Sequence, residues 1–310
     1  MADEFKEIPA PSYEYEIGQL VEYYKRAVRD ILRELESVDL TDFQRANAQA
    51  VLADIADILA ELDENAAAWV EENIPKAALD GVARAIVALG VVETLDEALT
   101  IAKFNRLNRE LVKAIVADTQ SDLLAVTQNM SRKVKAAVRQ AVAESMRANM
   151  TKGINGRKTI RADIVAEMRK RLGDAVNTGI VDSASRRWRP EVYAEMVVRT
   201  KTMLAHNEAT RNEAIARGAY YAIISSHNAV DACRFHEGRI IKLTPDAPGE
   251  YPTYEQLRET GQIWHPMCRH VYTVFRSIDR LPDSVRERAE KQAELGDKAI
   301  ATGKRNPGDI

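Results

Sequence analysis

The chain carries only two cysteines in 310 residues, so at most one internal disulfide can form and a framework of several bridges is excluded. A long hydrophobic run is missing as well. The longest nearly uncharged apolar stretch, Ala85 to Val92, covers eight residues, against the ~20 that a spanning helix needs. No cationic start leads into an apolar segment and a small-residue cleavage site, the pattern of an export signal. A glycine-rich phosphate loop of the GxxxxGKS type, a GxSxG elbow and an HExxH helix are all absent, which counts against an NTPase, that type of serine hydrolase and the common metalloproteases. These absences lead us to expect a folded, soluble chain made in a reducing cytoplasm, with no membrane segment.

What is present suffices for a sizeable core. Apolar residues make up 45% and charged residues 29% of the chain, far from the profile of a disordered polymer, and the length allows two domains of ~150 residues. The net charge of −3 hides an uneven distribution. Residues 1 to 75 hold 6 basic and 18 acidic side chains, whereas residues 132 to 171 hold 12 basic and 3 acidic ones. Two surfaces with different partners would carry such fields, and so would two oppositely charged helical faces packed near each other. The basic stretch from Arg132 to Arg171 offers Lys and Arg for DNA phosphates but no interleaved aromatics for stacking on single strands.

The first ~215 residues read almost entirely as helix. Ile17, Leu20, Val21, Tyr24, Val28, Ile31, Leu32 and Leu35 recur at steps of three and four, the stripe of an amphipathic helix ending near Ser37. Thr41 with Gln44 predicts a capping box and a second helix bearing Leu52, Ile55, Leu59 and Leu62, interrupted or ended by Pro75. A shorter helix is expected over Lys76 to Leu89, and Thr94 with Glu97 opens another. Helical spacing then extends from Asn108 to Asn149. A turn is expected around Thr151 to Lys158, followed by a helix through Ile160, Ile164, Met168 and Leu172 that stops at Gly173. Asn177 to Arg189 reads as a loop, and Pro190 opens a helix reaching Arg217, with Gly218 as its stop.

After Gly218 the composition changes. Tyr220 to Ser226, Arg239 to Leu243 and Val271 to Phe275 are short β-branched and aromatic runs, which predict strands. The last two are separated by a loop of 27 residues, long enough to have a function or an anchor. From Asp283 onward six basic residues face six acidic ones, read as a fraying helix and a disordered end.

All five histidines and both cysteines lie between His206 and His270. Ser226 to Gly238 (SHNAVDACRFHEG) offers His227, Cys233 and His236, and Trp264 to His270 (WHPMCRH) offers His265, Cys268 and His270. Zinc takes four tetrahedral thiolate and imidazole ligands, commonly as two close pairs on two tight turns. Cys233 and His236 are separated by two residues, as are His265 and Cys268, so two knuckles of the right bite exist, 28 residues apart. A closed four-ligand site would be structural, whereas an open one with Asp231 or Glu237 as base would be catalytic. Without a metal, the same residues could be buried apolar cysteines, surface histidines or one disulfide. Trp188 and Trp264 suit core packing, and Arg199, Thr200, Asn207 and Arg211 a helix face leading toward the strands.

Several separate pieces in order carry a resemblance: RRWRPEVYAEMVVRT at Arg186 to Thr200, SSH at Ser225 to His227, CxxHEG at Cys233 to Gly238, YP at Tyr251 and Pro252, and HPMCRH at His265 to His270. The stretch from Arg186 to Phe275 resembles phage minor capsid and head morphogenesis proteins of the Mu F type. His236 departs from that pattern, where an apolar or aromatic residue is common. The resemblance implies a structural minor head protein of a tailed bacteriophage or prophage, made in the host bacterial cytoplasm and placed in the virion at the capsid interior or portal vertex. It implies contacts with portal and with major capsid or scaffold proteins, and the basic stretch adds packaged DNA. A homo-oligomer is compatible with it.

The fold expected is mainly α, with a small carboxyl-terminal α+β domain of short antiparallel strands stapled by zinc. Residues 1–176 would be the helical portal- or capsid-interacting region, 177–280 the Mu F-like domain with its helix at 190–217, and 281–310 a charged, partly disordered tail. The expected ligands are Cys233, His265, Cys268 and His270, with His227 and His236 competing for the fourth position. The alternative function is a zinc-dependent hydrolase or nuclease, or a phage-delivered toxin, with His227, Asp231 and His236 at an open metal.

Overall fold

A computed structural model of the chain describes residues 5–155, 162–178, 180–182, 185–308 and 310. The protein is mostly helical with small antiparallel sheets toward the carboxyl-terminal end. It divides into two compact units. One comprises Glu14–Val70 and Asp118–Val197, the other Met1–Tyr13, Glu71–Ala117 and Val198–Ile310. Among the described residues, no helix is long and apolar enough to cross a membrane.

The helical unit contains α1, Glu14–Ser37, whose stripe of Ile17, Leu20, Tyr24, Val28, Ile31 and Leu35 is buried as the periodicity predicts. Helix α2, Arg45–Ala88, and helix α4, Arg106–Asn155, contribute residues to both units. Helix α5, Ala162–Asn177, supplies Arg169, whose guanidinium donates to the carbonyls of Leu35 at 2.7 Å and Val38 at 2.6 Å. A helix leaves its last carbonyls without intrahelical donors and bears a partial negative charge there, so a cation is well placed at this end of α1. A two-residue hairpin, β1 at Ile180–Val181 with β2 at Arg187–Trp188, follows. Asp182 closes it by accepting from the Arg186 backbone N–H at 2.9 Å, Arg186 Nε at 2.7 Å and Trp188 Nε1 at 2.9 Å.

Several local expectations need correction. Thr41 and Gln44 form no capping box: Asp39 accepts from the Thr41 N–H at 2.8 Å and closes a short turn over Leu40–Asp42, while the Gln44 amide donates to Asp42. Helix α2 starts at Arg45 and runs through Pro75. An interior proline costs about 3 kcal/mol in an isolated helix, but the turns beside it bury Ile74, Ala77, Ala78 and Val82 almost completely, and that packing holds the helix. Residues 151–155, expected in a turn, are the end of α4, while the rest of that turn and Ile160 lie outside the described residues. Helix α5 passes Gly173, and the loop read over Asn177 to Arg189 holds the hairpin.

The other unit is built on a three-stranded antiparallel sheet. Helix α3, Leu95–Ile101, opens on the expected Thr94–Glu97 capping box, and α6, Pro190–Ala216, which belongs to this unit from Val198 onward, starts at its proline and ends before Gly218, which takes φ +72. Strand β3, Tyr221–Ile224, lies between β4, Ile240–Lys242, and β5, Tyr272–Phe275. Alternation divides the strands cleanly. Ala222, Ile224, Ile241, Tyr272 and Val274 join one apolar cluster with Cys233, Tyr254, Leu257 and Cys268, while Tyr221, Ile223, Ile240 and Phe275 join another. The sheet is thus buried on both faces.

The long loop between β4 and β5 is not unstructured. It contains α7, Tyr254–Glu259, opened by a Thr253–Gln256 capping box, which the sequence reading missed. The tail read as fraying forms α8, Asp283–Ala301, with Ala289, Gly296 and Ala299 buried.

Within this unit α2 meets α6 at Gly81 and His206. A Cβ on Gly81 would lie 2.3 Å from the His206 carbonyl oxygen. Beside that crossing, Asp80 accepts from the Tyr13 hydroxyl at 2.8 Å and from Arg84 Nε at 3.0 Å, with His206 Nδ1 3.5 Å away. Burial favours the protonated carboxyl, but hydrogen bonding and charge from His206, followed by Arg84 and Tyr13, outweigh it and hold Asp80 at about 2.

Two stability measurements check this packing. Gly81→Ala should destabilise by about 1–3 kcal/mol because backbone must move, whereas Gly173→Ala, with nothing within 4 Å of the added carbon, should be neutral or stabilising by up to about 1 kcal/mol. Urea unfolding that ranks them the other way would contradict the close approach. A folded pKa below the unfolded one makes the contribution of Asp80 complete above about pH 4 and lost as pH falls toward 2. Asp80→Asn should therefore destabilise at pH 7 by an amount that shrinks across that window, and a constant difference would refute the ionised pairing.

Candidate metal centre

The ends of the three strands deliver the cysteines and histidines. After β3, Ser225 continues the pairing, its N–H donating to the Val271 carbonyl at 2.9 Å and its hydroxyl accepting from the Val271 N–H at 3.1 Å. The chain then turns through Asn228 at φ +59 into a short helical turn, Ala232–Phe235, capped by Asp231, which accepts from the Cys233 N–H at 3.1 Å. The second knuckle precedes β5. There the Cys268 N–H donates to the His265 carbonyl at 3.0 Å, and Trp264 and Met267 flank the turn at φ +53 and +72. Left-handed backbone at three residues with side chains costs on the order of 1–3 kcal/mol each and persists only where surrounding structure enforces it. Asn207 Nδ2 at 3.0 Å and Trp264 Nε1 at 3.1 Å both donate to the His270 carbonyl and fix its position.

These turns bring Cys233 Sγ and Cys268 Sγ to 3.8 Å and Cys268 Sγ and His270 Nδ1 to 3.3 Å. All three residues are buried, at 1%, 7% and 1% exposure, and their donor atoms lie within 4.8 Å of one another. Such a cluster could hold a metal ion. Tetrahedral zinc with Zn–S near 2.3 Å spaces two sulfurs by about 3.8 Å. His265 approaches from the Cys233 side, its Nε2 3.2 Å from Cys233 Sγ and 3.1 Å from Asp231 Oδ2. It groups with Asp231 and Cys233 rather than with all three members of the first cluster.

Hydrogen bonds orient both imidazoles. His270 Nε2–H donates to Glu237 Oε1 at 3.1 Å, which leaves the Nδ1 lone pair facing Cys268. His265 Nδ1–H donates to the Pro266 carbonyl at 2.8 Å, which leaves Nε2 facing Cys233 and Asp231. With both thiols deprotonated and both imidazoles neutral, lone pairs of two sulfurs and two nitrogens and a carboxylate oxygen would face one another, and a cation among them would relieve the repulsion. Anchoring the distal N–H of a ligating histidine to a carboxylate or carbonyl is the usual support of a metal site.

Without an ion the same atoms share protons instead: the Cys233 thiol bonds the Cys268 sulfur, and His270 faces that sulfur with its charged form favoured. Cys233 is pushed up, by its hydrogen bond to Cys268 and then by burial, while that same bond and then His270 hold Cys268 down as the thiolate. Two thiolates this close need a positive charge to ionise together. Burial opposes a charged His270, but bonding to Cys268 and then Glu237 raises it.

The two competing ligands are not in the Cys233–Cys268–His270 group. His227 is exposed and stacks on His270 with ring centroids 4.0 Å apart, in a group with Glu237 and His270. Glu237 Oε1 already accepts from the backbone N–H groups of His227 at 2.9 Å and Ala229 at 3.0 Å. This saturation makes Glu237 an anchor for the loop and for His270, a role that spacing could not reveal. His236 is fully buried and turns away: its Nε2–H donates to Gln262 Oε1 at 2.9 Å, and among the described residues it joins none of the ligand groups. Spacing had paired it with Cys233, whereas the geometry brings Cys268, His265 and His270 to that sulfur.

A family model described as Phage minor capsid protein 2 matches residues 14–304, a span that includes every residue of the cluster. No curated protein and no solved structure matches the chain.

Replacing Glu237 tests the anchoring directly. Glu237→Ala removes the oxygen on which the N–H groups of His227, Ala229 and His270 converge. We expect a loss of about 1–3 kcal/mol in urea unfolding, together with weaker metal retention. Unchanged stability and retention would show that the carboxylate does not organise the loop.

Proposed function

The chain belongs to the phage minor capsid protein 2 family, and from that membership we propose that it is a minor head protein of the Mu F type that joins the portal or inner capsid of a tailed bacteriophage or prophage during head assembly. Membership makes it a virion-associated structural component of the head. The match over nearly the whole chain is the observation that carries this reading, and the order of motifs from Arg186 to Phe275 supports its finer part.

In this reading the metal is structural zinc, held by Cys233, His265, Cys268 and His270. A small sheet whose strands have three or four residues gains from a metal what its limited core lacks. The two carboxylates that a hydrolase would need as bases have other work: Asp231 caps the turn at Cys233, and Glu237 accepts three N–H groups. That arrangement favours the structural role over the hydrolase, nuclease or toxin. Helical surfaces would make the oligomeric, portal and capsid contacts. For packaged DNA, Arg132, Lys135 and Arg139 are exposed at helical spacing on α4. Lys133, Arg169 and Arg171 are already engaged with Thr178, Leu35, Val38, Glu144 and Glu167, so fewer cations are available than the sequence offers.

Metal analysis and capture of phage structural proteins test the two halves separately. We expect one zinc per chain, its loss together with lower thermal stability in Cys268→Ala, and recovery of portal protein with the tagged chain from infected cells. Zinc-free protein of undiminished stability would contradict the metal reading. Capture of neither portal nor capsid protein would contradict the assembly reading.

A further inference from the structure

We propose that the metal centre and the carboxyl-terminal helix are coupled, so that ion binding at Cys233, Cys268 and His270 secures the docking of α8 and the residues after it, and loss of the ion frees them. The inference rests on the metal reading above and concerns how that site is regulated.

The short turn Ala232–Phe235 has two sides. One presents Cys233 to the cluster, and the other is the seat of α8. Gln292 Nε2 donates to the Arg234 carbonyl at 2.9 Å, and Arg234 Nη2 donates to the Gly308 carbonyl at 3.2 Å. Gly296 packs so closely that an added Cβ would lie 3.0 Å from the Phe235 carbonyl oxygen and 2.5 Å from Arg239 Nη1. Arg239, itself buried, pairs with Asp297. A shift of this turn by even one ångström would break hydrogen bonds on the side of α8.

Gln262 forms the second link. Its buried side chain serves three partners. Oε1 accepts from His236, while Nε2 donates to the Ala299 carbonyl at 2.9 Å and the Lys304 carbonyl at 2.7 Å. These are the last turn of α8, where the Ala299 carbonyl also accepts from Thr302, and the segment beyond it. His236 follows the turn directly, its N–H donating to the Cys233 carbonyl at 2.8 Å. One connected set of hydrogen bonds therefore runs from the metal ligand to the helix end through two routes. Anything that fixes the turn in its docked position strengthens both, and linkage requires the converse: a docked α8 must tighten the ion.

Hydrogen exchange on the full chain, zinc-loaded and after EDTA treatment with removal verified by metal analysis, reads the coupling. Amides of α8 should exchange at least tenfold faster without zinc, while those of β3 keep their protection. Reciprocally, Gln262→Ala should lose zinc to a competing chelator several-fold more readily, and Gly296→Leu, which unseats the helix sterically, should do the same. Unchanged α8 exchange after verified zinc removal would overturn the coupling and leave the metal reading intact. Equal loss of protection in β3 and α8 would also overturn it, because the response would then be global unfolding. Wild-type zinc retention in both variants would overturn the reciprocal link. Protein that binds no zinc at all would remove the metal reading and this proposal together.

Discussion

Two buried sulfurs 3.8 Å apart are the constraint around which the carboxyl-terminal fold is arranged. As thiols they share one ionisation; as thiolates they need a cation. The surroundings are arranged to supply a cation with ligands, because in its neutral form each of His270 and His265 has its distal N–H committed to an oxygen acceptor and its lone pair turned toward a sulfur. Holding electron-rich atoms together in a buried pocket is unfavourable by itself. It is maintained by backbone geometry, including left-handed residues in both knuckles, and by the strands that carry those knuckles.

The sheet explains why the knuckles meet at all. Antiparallel pairing of β3 with β5 sets Ile224 opposite Tyr272, so the chain leaving β3 and the chain entering β5 lie side by side. His227 and His270 are thereby neighbours although 43 positions apart in sequence. The register is enforced by burial on both faces: a slip of one residue would exchange the two apolar clusters, moving Ala222 and Ile224 to the face of Tyr221 and Ile223. Sheet and cluster support each other. Each strand is too short to hold register by backbone hydrogen bonds alone.

Much of this was legible in the sequence where the signal is local. The stripe of α1, the Thr94–Glu97 box, Pro190 opening α6, Gly218 closing it and the three strands all follow from spacing or from one residue's stereochemistry. Tertiary packing decided the remainder. Pro75 reads as an interruption yet sits within a continuous helix whose neighbouring residues are buried. Thr41 reads as a cap, but Asp39 two residues earlier is the better acceptor. The tail reads as fraying because its charges balance, while its small buried residues, Ala289, Gly296 and Ala299, reveal a docked face only beside their partners. In the site, residue type and clustering pointed to the cysteines and histidines. The role of Glu237 and the turn of His236 away from the sulfurs depend on contacts between distant segments that no spacing rule contains.

The central claim is that an ion is held by sulfur and imidazole from two separate knuckles. Zinc X-ray absorption on the purified full-length chain addresses it most directly. The account predicts a four-coordinate first shell of two sulfurs at about 2.3 Å and two nitrogens at about 2.0–2.1 Å. A shell of oxygen and nitrogen without sulfur, or a single sulfur, would contradict it.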